Sequence, residues 1–199
     1  MKTLVIHPDD RSTDFLKVIY EGKGYTVETD REILRSPKQV KELIKEHDRI
    51  MMMGHGHPYG LFFTCINPEM VYLLREKECV CIWCNADKFV ERYGLRGFYT
   101  GMFISEVGEA GYFRIETTQE KIDYSNNLFV EHLREVIDSP NVLTEIKSSY
   151  VGECPVIKFN NERLYYKIDN SVIESPREFV MFDDDELDPA GGRGLHSHI

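Results

Sequence analysis

The sequence predicts an α/β fold: a mostly parallel sheet flanked by helices in a three-layer sandwich, with a β-hairpin near the C-terminus. Three observations carry this expectation. Short apolar runs recur at 2–7, 25–28, 49–53, 78–83 and 97–105. Most of the segments between them place apolar residues at helical spacing, and such alternation implies parallel strands joined by crossovers that pack helices onto the sheet. The 199 residues are 42% apolar and 12% aromatic. That is enough to bury a full core, so one α/β domain is expected over 1–181.

The first run, 2–7, reads as a buried strand stopped by Pro8-Asp9-Asp10. Ser12 or Thr13 would cap a helix over 14–20 with Phe15, Val18 and Ile19 on one face. Gly22 and Gly24 end it, and 25–28 is a short strand. Ser36-Pro37 opens a second helix through Lys45, since proline is well tolerated in a first helical turn. The 49–53 strand then runs into the turn Gly54-His55-Gly56-His57. Asn67-Pro68 starts a third helix that ends near Arg75, and 78–83 is the next strand. A short helix follows over 88–93, a strand over 97–105, a long amphipathic helix over 119–137 and another helix over 142–151. Val156–Phe159 and Leu164–Ile168, split by Asn160-Asn161-Glu162-Arg163, read as the β-hairpin. The tail 182–199 contains Asp183-Asp184-Asp185-Glu186, is Gly-rich, and is expected to be disordered.

The net charge of −10 and the lack of a basic stripe argue against nucleic acid and anionic membranes, whose binding relies on Lys and Arg. No apolar stretch approaches the ~20 residues that span a bilayer, and the N-terminus lacks a secretory signal pattern. A soluble, cytoplasmic protein is expected. Five cysteines without framework spacing read as free thiols in a reducing compartment. Cys79 and Cys81 would share one face of a strand, with Cys84 beyond its end.

Two segments carry the chemistry: Met51-Met52-Met53-Gly54-His55-Gly56 and Val80-Cys81-Ile82-Trp83-Cys84-Asn85. Each is an apolar run that ends in a reactive side chain. If the chain reverses after its second strand, the first, third and fourth strands are central. Their ends, at Asp9-Asp10, His55 and Cys84, then meet at the carboxyl edge of the sheet, where open α/β sheets bind ligands. A thiol preceding a helix sits at that helix's positive end, which favours the thiolate. Cys84 would be the nucleophile and His55 the proton shuttle. The amides of Gly56 and Cys84 would hold an oxyanion, with glycine allowing close backbone approach. Asp9, Asp10 and Glu106 are candidates for selecting a basic substrate side chain.

The Gly54-His55-Gly56 turn and Ile82-Trp83-Cys84-Asn85 resemble the histidine and cysteine motifs of the caspase, gingipain and separase group of cysteine peptidases. The resemblance implies a caspase-like sandwich, the same Cys84–His55 dyad, the same oxyanion pair, a peptide or protein substrate and no cofactor. It covers roughly residues 1–110, and the run 97–105 matches the strand after the cysteine. The interval from His55 to Cys84 is much shorter than the ~50 residues of caspases, and the caspase Gln-Ala-Cys signature is absent.

Two other readings stay open. His7, His55, His57 and Cys84 form a possible zinc donor set. His7-Pro8-Asp9-Asp10 also resembles the first motif of zinc-dependent N-acetylglucosaminyl deacetylases. That family has an acidic residue next and a later His-x-x-His; here Arg11 follows and no His-x-x-His occurs. The second alternative is a non-catalytic caspase-like or flavodoxin-like interaction module. No glycine-rich phosphate loop is present to favour nucleotide binding.

Overall fold

The computed structural model describes residues 1–62 and 65–171. The tail expected over 182–199, and the last stretch of the expected domain, lie outside the described residues. Strand β1 (Thr3–Ile6) is buried throughout. It is followed by a 3₁₀ segment, Arg11–Ile19, and the short strand β2 (Thr26–Glu28). Helices α1 (Arg31–Leu34) and α2 (Pro37–Lys45) lead to β3 (Arg49–Met53), again fully buried. A two-stranded ribbon, β4 (Gly56–His57) and β5 (Gly60–Leu61), follows, so the expected turn opens a small hairpin of its own. A 3₁₀ turn at Pro68–Met70 runs into α3 (Val71–Leu74), and β6 (Glu78–Ile82), α4 (Ala86–Tyr93) and β7 (Arg96–Thr100) succeed it. The C-terminal part contains α5 (Val107–Tyr112), α6 (Gln119–Val136), α7 (Val142–Ser149), α8 (Pro155–Glu162) and β8 (Leu164–Lys167).

The strands form one six-stranded sheet in the order β2-β1-β3-β6-β7-β8. The first five run parallel; β8 alone is antiparallel, pairing Leu164 with Thr100 and Lys167 with Gly97. Met53 of β3 pairs with Ile82 of β6, so these two strands end level with one another. The direction of strand addition switches beside β1, as the sequence reading required.

Period-two alternation divides the strands between two cores. Leu4, Ile6, Ile50, Met52, Cys79 and Cys81 pack with Val40, Ile44, Phe89 and Val90 on one face. Val5, Met51, Met53, Val80 and Ile82 pack with Leu16, Ile19, Phe129, Leu133 and Ile146 on the other. The sheet is thus covered on both sides, as an all-parallel centre demands. All five cysteines are free. No helix among the described residues is long and apolar enough to cross a membrane.

Three expectations are corrected. The segment 156–159 is not a hairpin strand but part of α8. Pro155 occupies its first turn, and the buried Val156, Ile157 and Asn160 have helical spacing. Asn160 then fastens the helix to the loop after β7: its Oδ1 accepts from Ile104 N at 2.8 Å and its Nδ2 donates to Ile104 O at 2.9 Å. That contact explains the second correction, because β7 stops at Thr100 and the chain to Ser105 bonds to a side chain instead of a strand. Third, the cap of the first helical segment is Asp10, whose carboxylate accepts from Ser12 N at 3.0 Å, so the segment begins at Arg11.

Candidate active site

Three neighbouring strands, β1, β3 and β6, deliver the chemistry to the carboxyl edge of the sheet. After β3 the backbone turns at Gly54, whose φ of +135° strains any other residue. Gly54 N still donates to Ile82 O at 3.1 Å, which holds the turn beside the end of β6. His55 follows at once. After β6 come Trp83 and Cys84, and Asn85 adopts a left-handed conformation to start α4. His55 and Cys84 line the same cavity of about 20 Å³, together with Thr13, Phe15, Phe103 and Ser105. It has space for about one water. The topology therefore brings the two residues together.

The state of the thiol differs from the sequence expectation. Cys84 is partly buried, and its Sγ donates toward Phe103 O and Glu109 Oε1, each at 3.5 Å. Burial, with the Glu109 carboxylate next in weight, pushes the thiol well above its ordinary range. Desolvation of the thiolate and a facing anion outweigh the start of α4. At neutral pH the sulfur is a protonated thiol.

Glu109 was not singled out from the sequence. Its other oxygen accepts from Ser105 N at 2.7 Å, Ser105 Oγ at 3.2 Å and Glu106 N at 3.1 Å. The signal for it was the Glu106–Glu109 spacing, an acidic residue three positions into a new helix. Glu106 itself is exposed and borders an open groove of about 640 Å³ with Arg11, Ser12 and Asp123. The groove and the small cavity share Phe15 and Ser105, so they adjoin.

The other expected residues are occupied otherwise. Asp9 faces solvent, with its carboxylate 3.5 Å from Lys17. Asp10 caps the 3₁₀ segment and pairs with Arg31 at 2.8 Å; hydrogen bonds from Ser12 and the Arg31 charge hold its carboxyl below the usual range. The Asp10 carboxylate is thus engaged by Ser12 and Arg31, whereas that of Asp9 stays largely open to solvent. Gly56 is needed for a different approach than a ligand's: a Cβ there would lie 2.3 Å from Trp83 Cδ1 and 2.8 Å from Gly60 O. The Trp83 indole thus sits on Gly56, which places Gly56 against the residue preceding Cys84.

His55 is oriented by a residue that the sequence suggested only as a cap. Its Nε2 lies 2.6 Å from Ser12 Oγ, and Ser12 Oγ donates to Asp10 Oδ1 at 2.6 Å. The zinc donor set does not converge. The His7 ring is satisfied by Tyr20 at 2.9 Å and Thr13 at 3.1 Å, and His57 Nδ1 accepts from Tyr59 N at 3.1 Å. Among the described residues no group of three or more His, Cys, Asp or Glu side chains is arranged to hold a metal ion.

Comparison with protein-family models, with curated proteins and with solved structures found no match.

Proposed function

We propose that this chain is a caspase-like cysteine peptidase whose site is closed at rest. The observation that carries the proposal is the position of His55 and Cys84, at the ends of the adjacent parallel strands β3 and β6 and on one shared cavity. In the reaction, His55 takes the Cys84 proton as the sulfur attacks a peptide carbonyl, and then gives it to the leaving amine. The amides of Gly56 and Cys84 stabilise the tetrahedral oxyanion. Water hydrolyses the thioester that remains. No cofactor takes part. A peptide or protein substrate lies along the open groove, where Glu106 meets its side chains. A reducing cytoplasm suits the five free thiols.

The cavity is too small for a peptide, so substrate entry requires the cover over Cys84, to which Glu109 of α5 and the chain at Phe103 contribute, to move. Two of the six residues of α5 are glycines and only Ala110 is buried, so beyond the capping contacts of Glu109 few side chains hold the helix. Its departure removes Glu109 from the sulfur. A second reading, a non-catalytic interaction module, is favoured by the protonated and covered thiol in the resting arrangement.

The test is labelling with a library of peptidyl acyloxymethyl ketones at neutral pH, followed by a peptide-library cleavage assay. Labelling confined to Cys84, absent in Cys84→Ala and slowed at least tenfold in His55→Ala, supports the peptidase. No labelling of Cys84 until the chain is unfolded promotes the interaction module.

A further inference from the structure

We infer that Ser12 and Asp10 form a hydrogen-bonded relay that fixes the tautomer of His55, and that both are positioning residues of the proposed site. The inference rests on His55 being the proton shuttle.

The geometry decides where each proton sits. Ser12 Oγ has one proton and lies 2.6 Å from two atoms, Asp10 Oδ1 and His55 Nε2. An ionised carboxylate only accepts. Asp10 is kept ionised by its contacts with Ser12 and Arg31, so the hydroxyl proton points to Oδ1. Ser12 Oγ must then accept from His55, and the imidazole carries its proton on Nε2. The reverse arrangement would leave Oγ and Oδ1 facing each other at 2.6 Å with no proton between them.

Two consequences follow for the site. The lone pair of neutral His55 is confined to Nδ1, so the base that receives a thiol proton is always the same atom. When Cys84 S–H breaks and its proton joins Nδ1, the imidazolium still donates through Nε2–H to Ser12, and Ser12 to Asp10. The new positive charge is thereby linked to a carboxylate. The three parts come from three adjacent strand ends: Asp10 and Ser12 after β1, His55 after β3, Cys84 after β6. Nothing in helix capping requires this chain to reach His55. Asp10 caps through the Ser12 amide, and the hydroxyl contacts are additional.

The experiment uses the full chain labelled with ¹⁵N-histidine. Two-bond ¹H–¹⁵N correlation spectra at mildly alkaline pH report the tautomer of each ring. His55 is expected as the Nε2–H form in the wild type, as a mixture in Ser12→Ala and again as the Nε2–H form in Ser12→Thr. Ser12→Ala is also expected to slow Cys84 labelling, because the His55 ring loses the hydrogen bond that orients it. An Nδ1–H wild type, or an unchanged tautomer in Ser12→Ala, overturns the relay. The spectra need no turnover, so the two proposals fail separately. The expected tautomers with an unlabelled Cys84 would sink the peptidase and leave the relay standing.

Discussion

The Cys84 sulfur lies 3.5 Å from Glu109 Oε1, while Oε2 of the same carboxylate is clamped by the amides of Ser105 and Glu106 at 2.7 and 3.1 Å. The start of α5 is therefore organised around a carboxylate that also faces the Cys84 thiol. The carboxylate that caps the helix thus adds to burial in raising the thiol pKa.

Glu109→Gln keeps the shape and removes the charge. Alkylation of Cys84 by iodoacetamide at mildly alkaline pH is expected to accelerate about tenfold, the effect of a single pK unit on thiolate fraction. Timed alkylation with mass spectrometry measures it. An unchanged rate would mean that burial alone keeps the proton on sulfur.

Gly56→Ala would drive a methyl group into the Trp83 ring and the Gly60 carbonyl. A loss of about 1–3 kcal/mol is expected, the usual cost of overpacking. Trp83 is the one tryptophan in the chain and donates Nε1–H to His57 O at 3.3 Å. Its fluorescence should shift in the folded variant, and chemical denaturation gives the stability. Wild-type stability with an unshifted spectrum would contradict the packing described.

His7 is buried and neutral. Thr13 Oγ1 donates to Asp10 O at 3.2 Å, so His7 donates Nε2–H to Thr13 and accepts from the Tyr20 hydroxyl on Nδ1. Burial, reinforced by Lys17 and opposed by Asp14, Asp9 and Asp10, lowers its pKa from 6.5 to about 4. Between those values the unfolded chain binds a proton that the native state refuses. The contribution to stability is therefore complete above 6.5 and is lost as the pH falls to about 4. The full span corresponds to a loss on the order of 3 kcal/mol. His7→Gln should flatten this limb of the stability curve. The idea fails if thermal denaturation of the two proteins shows parallel pH profiles over that window.

Arg49, only 2% exposed at its side chain, stands at the start of β3 and ties the far edge of the sheet to the end of α6. It donates to Asp138 Oδ1 at 2.8 Å and Ile137 O at 2.5 Å. Asp138 is half-exposed and also bonded by Lys23 and Tyr25, so its charge is not stranded when Arg49 is removed. Arg49→Met is expected to cost about 2 kcal/mol, below the range for fully buried pairs. A double-mutant cycle with Asp138→Asn should show coupling between the sites, and additive losses would rule out a direct interaction.

Much of the architecture was legible because it is written in local patterns. The apolar runs at 2–7, 49–53 and 78–83 became β1, β3 and β6, and the alternation of Cys79 and Cys81 with Val80 assigned the faces of β6. Ser36-Pro37 marked the start of α2 for the same reason: a cap and a fixed φ act within one turn. The segment after Cys154 was misread because 156–159 is a short apolar run, a pattern that strands and buried helices share. Pro155 was the local clue to α8, and the buried bond from Asn160 to Ile104 is invisible in sequence.

The sequence by itself determined that a histidine and a cysteine terminate two apolar strands, because strand periodicity and glycine turns are properties of neighbouring residues. Tertiary structure decided what those groups are. The Cys84 thiol faces a backbone carbonyl and a carboxylate from α5, and the His55 ring meets a hydroxyl that follows β1. Proton affinity depends on lost hydration and on charges within a few ångströms, and folding assembles both from distant parts of the chain.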